Sequence, residues 1–182
     1  MRAISFGPPM IRAILAGCKT QTRRLVSDAD KPIVDGGNGR FRLDAPTCRY
    51  GQPGDRLWVK EELRIADRRT RIGVMSYTAD GERVICEGSG VAWPYKRPVL
   101  PARFCPRYAS RLTIEIEDLQ QQSLLEITEA DATAEGFESK NDFLLYFLST
   151  LHSTPANSET TPSVWRIVFR VVSNERTLYF AG

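Results

Sequence analysis

Alternation is strongest in "SRLTIEIEDL", where Leu112, Ile114 and Ile116 fall on one side of an extended chain and Thr113, Glu115 and Glu117 on the other. A period of two marks a half-buried strand. The same reading predicts strands at Ala3–Phe6, at Arg56–Leu63 with Leu57 and Val59 opposite Trp58, and at Val164–Val172 ("VWRIVFRVV"). Trp58 and Trp165 both lie within these patterns and are expected in the core. "GVMSYTADGERVICEG" predicts a hairpin that turns at Asp80-Gly81.

A helical period appears three times. Pro8-Pro9 suits a first turn, Ile11, Ile14 and Leu15 line one face, and Gly17 sits where a left-handed cap ends a helix. Thr128 and Asp131 resemble a capping box, opening a helix that ends near Gly136. A further helix starts at Ser139, with Phe143, Leu144, Phe147, Leu148 and Leu151 facing inward. Between the elements, residues 27–54 are rich in Gly, Pro, Asp and Asn and read as turns, with a hairpin at Gly36-Gly37-Asn38-Gly39. "PYKRPVLPARFCPRYASR" carries too many prolines to be regular, and residues 153–163 form a polar loop. Short strands without regular βαβ alternation predict an α+β fold built on a small β-barrel, with flanking helices and loop insertions. At 182 residues the chain is expected to be a single domain.

Composition changes this picture in two ways. The four cysteines (Cys18, Cys48, Cys86, Cys105) are scattered and His152 is the one histidine, which argues against zinc and against a disulfide framework. No metal or cofactor is expected, and His152 is expected to be solvated. Charge is uneven: residues 1–111 hold 21 of 25 Lys/Arg and 11 of 22 Asp/Glu, a balance of +10, and residues 112–182 balance at −7. Of the basic residues 20 are arginine, whose planar fork pairs with phosphate and stacks on bases, so RNA is an expected partner. Leu15-Ala16-Gly17-Cys18 could mark the processing site of an exported lipoprotein, but Arg12 and the prolines break the apolar run that export requires. The expected location is the cytoplasm, with no membrane partner.

Five stretches, in order, resemble the ASCH domain, a branch of the PUA-like β-barrels. They are "LAGCKTQTRR", "GQPGDRLWVKE", "PRYASRLTIEI", "ITEADATAEGF" and "VWRIVFRVV". The order is similar to that of longer ASCH proteins of phages and prophages. The resemblance implies a PUA-like barrel with a cleft and a substrate related to nucleic acid. Small bacterial members of that family are amidohydrolases that deacetylate N4-acetylcytidine. By resemblance, the catalytic residues would be Lys19, Thr22 and Glu135. Two departures are visible: Cys18 stands where a basic residue is usual, and residues 27–54 and 64–105 contain extra material.

Amide hydrolysis needs a nucleophile, a base and an acid for the leaving nitrogen. A threonine hydroxyl is weak alone, and a lysine serves as base only when neutral. Burial and the neighbouring Arg23 and Arg24 would favour the neutral form. Along a regular strand residues 19 and 22 face opposite ways, so their pairing requires irregular backbone at residues 17–20. For an RNA partner the expected contacts are Arg23, Arg24, Arg97, Arg103, Arg107, Tyr108 and Arg111, with Lys96, Trp93, Tyr95 and Phe104 interleaved. Arg64, Arg68, Arg69 and Arg71 are either a phosphate-binding loop or an exposed basic turn. The functions expected are therefore hydrolysis of a modified nucleobase, nucleoside or RNA, or non-catalytic RNA binding in an arginine-lined cleft. RNA cleavage is a third, weaker expectation.

Overall fold

The structure, a computed structural model, describes residues 1–27, 47–65, 75–84, 97–150 and 161–174. Its strands are β1 (Arg2–Ser5), β2 (Gln21–Leu25), β3 (Arg56–Lys60), β4 (Leu63–Ile65), β5 (Met75–Tyr77), β6 (Val99–Leu100), β7 (Thr113–Ser123) and β8 (Ser163–Ser173). Its helices are α1 (Pro8–Leu15), α2 (Glu129–Ala134) and α3 (Lys140–Ser149). The strands form a five-stranded sheet of order β1-β3-β7-β8-β2 and a three-stranded sheet of order β5-β4-β6. The fold is thus mixed α+β. A closed barrel is absent among the described residues, because β1 and β2 end the larger sheet as edges with one neighbour each. No described helix is long and apolar enough to cross a membrane.

The chain divides into two compact units, the first comprising Met1–Gly17, Arg56–Glu115 and Arg170–Gly182. In it β1 runs parallel to β3, with Ile4 opposite Val59, and β3 runs antiparallel to β7, with Leu57 opposite Ile114. Ile4, Leu57, Val59, Leu112 and Ile114 are all essentially inaccessible, as the alternation demands. α1 buries Met10, Ile11 and Ile14, while Leu15 is exposed. At 100° per residue, position 15 has already turned away from a face centred on 10, 11 and 14. Gly17 takes φ 73°, the left-handed value that favours glycine at a helix end. A second cluster, Leu63, Met75, Tyr77, Leu100, Cys105 and Ala109, lies under the smaller sheet.

One expected strand is in fact two. Residues 57, 59, 61 and 63 remain buried in turn, yet β3 ends at Lys60 and β4 belongs to the other sheet. The break falls at Glu61, a buried carboxylate held by an arginine. The hairpin turn is found at Thr78–Asp80 with Gly81 at φ 77°, but the returning arm makes a lone bridge, Arg83 to Ser76. Beyond Val84, whose N–H donates to the Met75 carbonyl at 2.8 Å, that arm lies outside the described residues, as do the Gly36–Gly39 hairpin, Leu151 and His152.

The second unit comprises Cys18–Asp55 and Ile116–Phe169. β2 pairs antiparallel with β8, Thr22 opposite Ile167. α2 opens with the expected capping box: the Thr128 hydroxyl accepts from the Asp131 N–H at 3.1 Å, and the Asp131 carboxylate accepts from the Thr128 N–H at 3.0 Å. Its core joins Leu124, Ile127, Ala132, Phe143, Phe147 and Val164. α3 buries Phe143 and Phe147, one turn apart, and leaves Leu148 exposed, so its apolar stripe is narrower than the sequence suggests. Trp165 is buried as expected; Trp58 is only half-buried.

Candidate functional site

Where α1 ends, the left-handed Gly17 redirects the chain, and residues 18–20 are irregular before β2 begins at Gln21. Two backbone bonds fix this segment within the second unit: Thr20 N–H to the Ala134 carbonyl (2.9 Å) and Phe169 N–H to the Thr20 carbonyl (2.8 Å). Lys19 is thereby delivered to the end of α2. Its ammonium donates to the Glu135 carbonyl at 2.8 Å and to the Glu135 carboxylate at 2.7 Å. A helix end has unpaired carbonyls and partial negative charge, so a lysine there satisfies both. The same ammonium neutralises Glu135, a carboxylate that the helix dipole alone would disfavour.

β2 and α2 match by period. Gln21 and Arg23 share one face of the strand, while Asp131 and Glu135 are one helical turn apart. Arg23 lies 3.2 Å from Glu135 and 3.1 Å from Asp131, with its guanidinium 5.8 Å from the centre of the Phe143 ring. The Gln21 amide donates to the Asp131 carboxylate at 3.1 Å and to its carbonyl at 2.9 Å. Arg166 on β8 donates to the Gln21 side chain at 3.3 Å and reaches Asp118 at 3.3 Å. Three cations (Lys19, Arg23 and Arg166) and three carboxylates (Asp118, Asp131 and Glu135) thus meet in one cluster.

Burial is nearly complete: the side chains of Lys19, Arg23 and Glu135 are no more than 3% exposed. Burial pushes the lysine pKa below its ordinary value; Glu135 opposes this, while Arg24 and Arg23 add to it. Burial would raise the Asp131 pKa, but hydrogen bonds from Thr128 and Gln21, with the charge of Arg23, hold it down at about 2.

The structure therefore unites two of the three residues that the resemblance nominates. Thr22 is buried on β2 but points away from the face shared by Gln21 and Arg23, and no hydrogen bond joins it to Lys19 or Glu135. Asp131, Gln21 and Arg166 were not expected in the cluster. The i, i+4 spacing of Asp131 and Glu135 was the available sign for the first.

The arginines expected at RNA separate into two groups. Arg23 is enclosed by carboxylates. Arg111, only 4% exposed, makes a forked pair with Glu61 (3.0 and 2.8 Å), reaches Asp80 and Glu82 at 2.6 and 3.1 Å, and lies 3.9 Å over the Tyr77 ring. Both guanidinium groups are buried and engaged by carboxylates. Tyr108 is half-buried against the smaller sheet's core. Arg24 lies 6.0 Å over the Tyr50 ring, Arg103 is 4.8 Å from the centre of the Phe104 ring, and Arg107 is 5.2 Å from that of Trp58. Arg97, Arg103 and Arg107 are exposed, as is Arg64 on β4. Arg68, Arg69, Arg71, Trp93, Tyr95 and Lys96 lie outside the described residues. Among the described residues, no group of three or more His, Cys, Asp or Glu could hold a metal ion.

No family model and no curated protein matches the chain. Among solved structures, the crystal structure of protein EF3133 from Enterococcus faecalis V583, of the family model DUF984, is similar to it at 12% identity. The match covers 100% of this chain and 84% of that one, with a TM-score of 0.44.

Proposed function

We propose that this chain is an ASCH-like hydrolase with a PUA-like fold, acting on a modified nucleobase, nucleoside or RNA. The most concrete substrate is N4-acetylcytidine. One observation carries the reading: Lys19 and Glu135, 116 positions apart, meet at 2.7 Å in a site closed to solvent, with the lysine pKa lowered. A buried carboxylate held against a lysine ammonium offers one group to carry a proton and one positive charge to meet an oxyanion.

In this reading a hydroxyl oxygen bonds to the acetyl carbon, and its proton passes to the Glu135 carboxylate. Negative charge growing on the carbonyl oxygen is met by the Lys19 ammonium. The carbon–nitrogen bond then breaks, and Glu135 returns the proton to the departing exocyclic nitrogen. Water supplies the hydroxyl, and the products are acetate and cytidine. The resemblance nominates Thr22 for that role, but strand alternation favours water. The cleft-binding alternative has less support, since Arg23 and Arg111 are both held by carboxylates.

The test is hydrolysis of N4-acetylcytidine by the wild type, Lys19→Ala and Glu135→Gln, with folding checked by circular dichroism. Turnover by the wild type, reduced roughly 100-fold or more in both folded variants, is expected. An inactive wild type, or a fully active Lys19→Ala, overturns the proposal.

A further inference from the structure

β3 divides its residues between two environments. Leu57 and Val59 are sealed in the core, while Arg56, Trp58 and Lys60 point to the other face of the sheet. There Trp58 is half-buried and has two cations over its ring, Lys60 at 5.1 Å and Arg107 at 5.2 Å. Beside it the short turn Ala102–Phe104 adds a second ring: Phe104 is 52% exposed, with the Arg103 guanidinium 4.8 Å from its centre. Lys60 links the two places by donating to the Arg103 carbonyl at 3.1 Å.

The charge on this face is one-sided. In register, Thr113 lies opposite Trp58 and Glu115 opposite Arg56. Glu115 is bracketed by Arg56 at 2.9 Å and Arg170 at 2.6 Å. Among the described residues, no carboxylate pairs with Lys60, Arg103 or Arg107. A half-buried and an exposed ring, each with a cation over its face, match one kind of polymer, in which planar bases alternate with phosphates. An acidic peptide would use the cations and leave the rings without a function.

We propose that this face docks single-stranded nucleic acid, with bases stacking on Trp58 and Phe104 and phosphates held by Lys60, Arg103 and Arg107. A base takes the place of the Arg107 guanidinium over Trp58, and the displaced guanidinium turns to the adjoining phosphate. Neither Lys19 nor Glu135 takes part, so the proposal is independent of the hydrolase reading.

The test is fluorescence anisotropy of the full chain with labelled oligonucleotides of about 12 nucleotides, as single-stranded RNA, single-stranded DNA and blunt RNA duplex. Single strands of either sugar bind more tightly than the duplex. Trp58→Ala weakens binding about tenfold, and Trp58→Phe, which keeps a stacking ring, retains most of it. Arg107→Ala weakens binding several-fold, and Lys140→Ala, a cation on α3, leaves it unchanged. The proposal is overturned if the wild type binds no single strand or binds the duplex equally well. It is also overturned if Trp58→Ala and Arg107→Ala, both folded by circular dichroism, bind like the wild type. Should Trp58→Ala fail to fold, Trp58→Phe and Arg107→Ala decide the matter.

Discussion

Arg23 and Arg111 show what a residue type conveys and what it leaves out. A run of arginines suggests phosphate, but each of these two meets a carboxylate more than 25 positions away, Glu135 and Glu61. Such partners are set by tertiary contact and are invisible along the chain. Lys19 and Glu135, brought forward together by a resemblance, do meet in the structure, and Thr22 came with them although strand alternation turns its side chain to the other face. We expect Thr22→Val to retain hydrolysis within about tenfold of the wild type. A loss matching Lys19→Ala would make the Thr22 hydroxyl the nucleophile. At Arg111 the expectation concerns stability. Removing it leaves Glu61 buried without a counter-charge, so Arg111→Ala should cost about 3–5 kcal/mol near neutral pH. Burial raises the Glu61 pKa against the opposing effect of Arg111. A carboxyl whose folded pKa exceeds its unfolded value stabilises the fold most below the unfolded pKa, and that stability is lost as pH rises through the folded pKa. Without Arg111 the folded pKa rises further, so the penalty shrinks on acidification. Urea unfolding of both proteins at two pH values checks this; a penalty independent of pH would mean that Glu61 is not its source.

Elements were legible where their ends carry local chemistry. The Thr128–Asp131 box, Ser139 at the start of α3, and the glycines at 17 and 136 (φ 73° and 87°) mark boundaries through bonds made within a few residues. The break between β3 and β4 was not legible, because Glu61 continues the buried alternation while its ion pair comes from a distant segment. The narrow stripe of α3 was missed for a related reason: leucines at helical spacing do not say how much of the helix is covered. α2 is short, so its cap should matter. Thr128→Ala is expected to cost about 1 kcal/mol. It also removes the hydroxyl's bond to the Asp131 carboxylate, one of those that hold Asp131 at about 2, below its ordinary 3.8, while the bond from the backbone N–H of residue 128 remains. A carboxyl with a depressed folded pKa gives stability above its unfolded pKa and loses it as pH falls through the folded one. In Thr128→Ala the Asp131 pKa moves back up, so that part of the acid-dependent stability disappears. Thermal melts followed by circular dichroism between about pH 5 and pH 2 should show a flatter acid limb in the variant. An unchanged limb would mean that Asp131 is held by the backbone N–H of residue 128, Gln21 and Arg23 without help from the hydroxyl.

For the whole molecule, the division between a basic first part and an acidic second part does not follow the division into units. Each unit takes segments from both sides of residue 111. Within the second unit, Asp131 and Glu135 from the acidic part neutralise Lys19 and Arg23 from the basic part. The balance of +10 over residues 1–111 therefore overstates the charge available to a partner. This bears directly on salt. A single strand loses affinity with a slope of about −0.7 in log K against log salt for each phosphate neutralised. If Lys60, Arg103 and Arg107 are the cations engaged, the slope should be about −2. Engagement of most arginines of the basic part would give about −6 or steeper. Hydrolysis of a free nucleoside at the Lys19–Glu135 site, where burial excludes counterions, should be nearly flat over the same salt range. A titration of both readouts on one preparation separates the two sites. With an acetylated single strand as the substrate, equal salt dependence in binding and hydrolysis would mean that the polymer itself enters the Lys19–Glu135 site, because phosphate contacts would then limit the chemistry as well as the docking.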